Sequence, residues 1–171
     1  MFEHLSLECL QCGLSWDLML KKRDIFRNCF DNFDYNKIAE YNVSDANRIL
    51  NTDGMLRSIN KINAIINNAK CSLKIKEEYG SLCNYFWSFS NNKTIIYNGH
   101  KESKIPVSNG LSKKISKDLK KRGFKFVGPI TIYSHLQACG IINDHSEDCH
   151  IFEMINKKYP VIKLKPDNEI F

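Results

Sequence analysis

Six lysines and one arginine crowd a stretch of thirteen residues: Lys113, Lys114, Lys117, Lys120, Lys121, Arg122 and Lys125. Leu111, Ile115 and Leu119 recur among them at helical spacing, so the segment packs one face and presents cations on the other. Next comes a turn bounded by glycines, Gly123-Phe124-Lys125-Phe126-Val127-Gly128, and then a second apolar segment that Pro129 opens and Gly140 closes. Backbone amides of such a turn, together with the positive end of the following helix, suit one phosphate group. The arrangement reads as a helix-hairpin-helix gripping a DNA backbone through Lys120, Lys121, Arg122, Gly123, Lys125 and Gly128. Contacts of that kind position a protein on a duplex without reading its sequence. A lysine run by itself usually means a solvated helix face. Here charge, glycine punctuation and Pro129 coincide, which makes nucleic acid the first partner to test.

Other residues carry chemistry whose reading stays open on pattern alone. Glu8 and Trp16 stand eight residues apart across a turn at Gly13, and their plain readings are a solvent-facing helix acid and a core aromatic. Leu14 sits at the tip of that turn, either buried or exposed as an apolar plug. Cys9 and Cys12 form C-x₂-C, read as buried helix cysteines rather than metal ligands. Asp144, His145, Cys149 and His150 cluster late in the chain. Asp144 is read as a cap or a partner of His145 before it is read as a catalytic acid.

The elements that must position these groups are helical. Phe2, Leu5, Leu7 and Leu10 predict one helix, and the apolar series from Trp16 to Phe30 predicts a second, joined at Gly13. Ser44 is the expected N-cap of a short helix that stops before Gly54. Leu56, Ile59, Ile62, Ile65, Ile66 and Ala69 keep the helical period to about Glu78, with Gly80 as the stop. Tyr85, Phe86, Trp87 and Phe89 predict a short core-filling helix. Residues 91–109 read as a connecting loop in which only Thr94 to Tyr97 has strand character. Ser108 is the expected cap of the basic helix, and the fold class is all-α. Beyond Cys149 the tail has no clear period and is expected to be an appendage or partly disordered.

Composition narrows the class further. A chain of 171 residues, 43% hydrophobic, suffices for one domain with a proper core. The net charge of +6 favours a polyanionic partner, though only weakly. Seven cysteines, an odd number scattered through apolar segments, imply reduced thiols and no disulfide framework. The apolar runs are too short to span a bilayer, and the first residues lack the basic start of a signal peptide, so a soluble cytoplasmic protein without membrane partners is expected.

Several longer motifs now fall in order: GLSW at Gly13 to Trp16 followed by Lys21-Lys22-Arg23, INAIINNAK from Ile62, WSF at Trp87 to Phe89, LKKRGFKFVGPITIYSHLQACG from Leu119, and NDH at Asn143 to His145. Together they resemble the 3-methyladenine DNA glycosylase I family over nearly the whole chain, from Met1 to about Cys149. The resemblance implies a helical fold of the helix-hairpin-helix glycosylase superfamily over residues 1–149, with residues 150–171 as a divergent tail. It also implies an enzyme that extrudes a damaged base from alkylated double-stranded DNA and hydrolyses its N-glycosidic bond, acting as a monomer and without a lysine nucleophile. By the same resemblance Glu8 is the carboxylate that hydrogen-bonds the flipped base, Trp16 the aromatic that stacks on it, and Leu14 the wedge that fills the gap in the stack.

Members of that family normally begin with a further segment that supplies a Cys and a His zinc ligand and pocket aromatics. The sequence starts instead at the stretch bearing Glu8. His145 and Cys149, at H-x₃-C spacing, hold the other two ligand positions. The resulting expectation is half a metal site, with zinc absent or sub-stoichiometric. The competing function is a catalytically impaired helix-hairpin-helix protein that only binds the DNA backbone.

Overall fold

Helix α6, Ile59–Tyr79, is the element around which the others assemble. Its 21 residues place Ile62, Ile65, Ile66, Ala69 and Ile75 inward, and Gly80 ends it in the left-handed conformation at φ 77°. The computed structural model describes residues 1–97 and 105–165. Around α6 pack α1 (Phe2–Gln11), α4 (Tyr35–Ala39), α5 (Val43–Leu50) and α7 (Leu82–Ser88). α1 buries Leu5, Leu7 and Leu10, each worth about 1.5–3 kcal/mol of transfer free energy. Lys61 of α6 donates to the carbonyls of Leu10 (2.7 Å) and Cys12 (2.6 Å), satisfying orphan acceptors where α1 ends.

The stretch expected as one helix after Gly13 is two, α2 (Trp16–Lys21) and α3 (Arg23–Cys29), broken at Lys22. Arg23 and Arg27 of α3 both donate to Glu3 Oε1, at 2.8 and 2.7 Å, and so lock α3 to α1. A short 3₁₀ turn over Asp31–Phe33 then leads into α4. The caps differ from those expected. Asn42, not Ser44, caps α5, and Asn109, not Ser108, caps α8 (Gly110–Lys121); each forms a reciprocal box with the residue three positions on. The asparagine carbonyl outcompetes the neighbouring hydroxyl because it sits one residue before the first helical turn.

α8 packs against α9 (Pro129–Ala138), and α9 packs on α1. Thr94–Tyr97 is the strand β1, as its residue types suggest, while positions 98–104 of the expected loop lie outside the described residues. The tail, described to residue 165, carries regular structure. After α10 (His150–Lys158), which buries none of its side chains, β2 (Val161–Leu164) pairs in parallel with β1, and Leu164 enters the core. β1 also bonds on its other side, with Ile95 donating to the Ile141 carbonyl at 2.8 Å and accepting from the Asn143 amide at 2.9 Å. The fold is thus helical with one two-stranded parallel ribbon. Among the described residues no helix is long and apolar enough to cross a membrane.

Candidate active site and nucleic-acid interface

The turn between α8 and α9 is held by side chains from α6. Asn68, buried to 1% exposure, treats Lys125 as a strand treats its neighbour: its Oδ1 accepts from the Lys125 amide at 2.8 Å, and its Nδ2 donates to the Lys125 carbonyl at 3.0 Å. Asn67 Nδ2 donates to the Gly123 carbonyl at 2.8 Å, and Ser116 Oγ to the Val127 carbonyl at 2.6 Å. Phe124 and Val127 plug into the core, whereas Phe126, at a strained φ of 56°, stays exposed at the tip. Gly123 needs its lack of a side chain, at φ 91°. Gly128 does not, for its φ of −64° and ψ of 161° are open to any residue.

Gly128 is the N-cap of α9 and supplies no capping side chain, so the helix presents an uncapped positive end beside the turn. Lys120, Lys121 and Lys125 lie exposed around it. A groove of about 530 Å³ runs alongside, lined by Asn60, Asn63, Ala64, Asn67, Lys125 and Phe126. Arg122 does not join the cations. Its guanidinium is taken up by Glu78, in two bonds of 2.8 Å, and by Asp118 at 2.8 Å, and it lies over the rings of Tyr79 and Tyr85. Without DNA, its partners are these acids and rings.

The α1–α2 turn adjoins the hairpin. Cys9 Sγ donates weakly to the Phe126 carbonyl at 3.5 Å, and Cys12 Sγ lies 3.7 Å from Thr131 Oγ1 in the first turn of α9. Leu14, at the tip, is 37% exposed, and its carbonyl accepts from Gln11 Nε2 at 2.7 Å. Glu8 occupies the inner face of α1, with 9% of its side chain exposed. Burial pushes its carboxyl up to about 7, since water no longer solvates the charge. His4, one turn earlier, separates Glu8 from Trp16. Its Nε2 is 3.8 Å from Glu8 Oε1, and its ring centroid is 5.5 Å from that of Trp16, tilted by 45°. Burial lowers the His4 pKa and keeps the ring neutral. Trp16, half-buried at the first position of α2, is fixed by Ser15, whose Oγ accepts from the Leu18 amide at 3.3 Å. Glu8 is thus a buried carboxyl whose neighbour His4 also lies against Trp16, with Leu14 exposed at the tip of the intervening turn and the uncapped start of α9 near Cys12.

Residues 1–153 match the model of the methyladenine glycosylase family. The chain belongs to that family. It is 42% identical over 149 residues to DNA-3-methyladenine glycosylase 1 of Escherichia coli (strain K12), covering 87% of this chain and 80% of that protein. A crystal structure of a 3-methyladenine DNA glycosylase I superposes with a TM-score of 0.81 at 43% identity, over 87% of this chain and 82% of that one. A point variant of a 3-methyladenine DNA glycosylase I, crystallised with 3-methyladenine, also gives 0.81, at 34% identity and over 87% and 80% of the two chains.

Within this glycosylase frame the remaining candidates separate. Asp144 is held by Tyr133, whose hydroxyl donates at 2.6 Å, and by Gln137 Nε2 at 2.8 Å. An acid so restrained serves to tie α9 to the segment that follows it. Cys9 is buried at 1% exposure and makes only weak bonds, as an apolar helix cysteine does. His145 and Cys149 are brought together, Nδ1 to Sγ 3.7 Å, a separation one tetrahedral ion spans. Among the described residues no third His, Cys, Asp or Glu donor joins that pair, and two donors do not close a four-coordinate site. His150 is exposed at the start of α10. The sequence reading missed His4 and His135, which face each other where α1 packs on α9, and the asparagines that pin the hairpin. His4 was legible, being four residues before Glu8 on one helix face.

Proposed function

We propose that the protein is a monofunctional DNA-3-methyladenine glycosylase, working in base excision repair as a monomer in the cytoplasm. The support for this reading is the buried Glu8 of α1, linked through His4 to Trp16, in a chain that matches the methyladenine glycosylase family over residues 1–153. Methylation at N3 makes the adenine cationic, so the extruded base is drawn to the indole face and to a carboxylate. The neutral His4 leaves that carboxylate unopposed. In this reading Leu14 fills the vacated stack, while Lys120, Lys121, Lys125 and the α9 N-terminus hold phosphates. Once the base is held, the C1′–N9 bond breaks with its electron pair going to the base, which departs as neutral 3-methyladenine. Water adds to the sugar cation at C1′ and loses its proton to solvent or to Glu8.

The test is chromatographic. Incubated with methylated duplex DNA, the protein should release free 3-methyladenine, and Glu8→Gln or Trp16→Ala should slow release far more than it weakens duplex binding. Binding with a steep salt dependence and no base release would leave only the backbone-binding function.

A further inference from the structure

His4, His135 and Cys139 converge where α1 crosses α9, and the reaction uses none of their donor atoms. His4 Nδ1 faces His135 Nδ1 at 3.2 Å, Cys139 Sγ lies 3.8 Å from the His135 ring nitrogens, and all three ligand atoms fall within 4.8 Å of one another. We propose that this cluster is a binding site for a thiophilic divalent cation of the zinc class, built from two imidazoles and one thiolate and distinct from the His145–Cys149 pair.

Four observations support it. A tetrahedral ion with nitrogen ligands at about 2.0–2.1 Å and sulfur at about 2.3 Å sets its ligand atoms roughly 3.3 Å apart for N···N and roughly 3.6 Å for N···S. The cluster is therefore close to ligand spacing before any ion arrives. The two ligands on α9 are four residues apart and share one face, while the third comes from a different helix, so the fold fixes their separation. His135 is fully buried against the Phe86 ring, 4.6 Å between centroids, an apolar setting in which an imidazole is unexplained by packing alone. His4 turns its other nitrogen, Nε2, toward Glu8, the carboxylate–histidine–metal order that orients and strengthens a ligating imidazole. Binding is balanced by loss of one proton: the Cys139 S–H bond breaks, the S–metal bond forms, and the proton leaves to buffer, while both histidines bind as neutral rings.

A dication one imidazole away from Glu8 opposes the cationic base in the pocket. That consequence, inhibition of base release by the metal, rests on the proposed glycosylase reading, whereas the site itself does not. The deciding experiment is titration of the metal-free protein with Co²⁺, followed by absorption. One equivalent should produce thiolate-to-cobalt charge transfer together with the intense visible bands of a tetrahedral site. Cys139→Ser should abolish the charge transfer, and His135→Gln should weaken binding at least tenfold. The double variant His145→Ala/Cys149→Ala should retain both bands. Cys139→Ser changes a single atom and keeps the test readable if His135→Gln fails to fold. A featureless titration, or bands lost with His145 and Cys149 but kept in Cys139→Ser, overturns the site. If the bands appear and base release is unaffected by zinc, the site stands and only its regulatory consequence falls.

Discussion

Replacing Glu8 by glutamine should stabilise the protein while disabling it. The carboxyl has an ordinary value of 4.5 and is pushed up to about 7 by burial, with 9% of its side chain exposed. A group whose folded pKa lies above its unfolded one binds more protons in the native state between those values, so stability falls as pH rises through that window. Each pH unit costs about 1.4 kcal/mol, which gives roughly 3 kcal/mol lost between pH 4.5 and 7. Glutamine matches the protonated form and escapes the loss. Near pH 4 the two proteins should unfold alike, whereas at pH 8 Glu8→Gln should be more stable by roughly 3 kcal/mol, or about 6–12 °C in Tm for a chain of this size. Urea or thermal unfolding across pH checks this, with the difference between the two proteins cancelling the titration of His4. Base release should move the other way: kcat/KM of the wild type rises through an apparent pKa near 7 as the carboxylate forms, and the variant lacks that rise. A stability difference that is flat from pH 4 to pH 8 would refute the buried, uncompensated carboxyl on which the pocket depends.

Three further perturbations address the hairpin. Asn68→Ala strands the Lys125 amide and carbonyl and should cost about 2–4 kcal/mol in urea unfolding, with weaker duplex binding as the turn loosens. Changing Lys120, Lys121 and Lys125 together to alanine should reduce the slope of log affinity against log salt by about 2.7, at about 0.9 per phosphate contact. Arg122→Ala should leave that slope unchanged while lowering stability by about 1–2 kcal/mol, because its guanidinium is spent on Glu78 and Asp118; a fall in slope would show that it reaches DNA after all.

The hairpin, the long central helix and its Gly80 stop were legible in the sequence because each is written locally, in helical period, glycine and proline. The caps were misplaced by one or two residues, since Asn42 and Ser44, or Asn109 and Ser108, offer the same chemistry and only backbone geometry decides between them. The ordered tail was not legible: β2 is stable only because β1, more than sixty residues earlier, supplies its hydrogen-bond partners. Arg122 looked like part of the basic face for the same reason, its acidic partner Glu78 being 44 residues distant in the chain. At the site, Glu8 and Trp16 were identifiable through the family resemblance and not through their spacing. Their setting beside His4 and His135 required the crossing of α1 and α9 to be known.

The central claim is base excision by a pocket built on Glu8 and Trp16, and its direct measurement is the release of free 3-methyladenine from methylated duplex DNA. The wild-type protein should liberate the base, and Glu8→Gln and Trp16→Ala should bind the same duplex yet liberate it far more slowly. Duplex binding without release by the wild type, or release undiminished in both variants, would contradict the account.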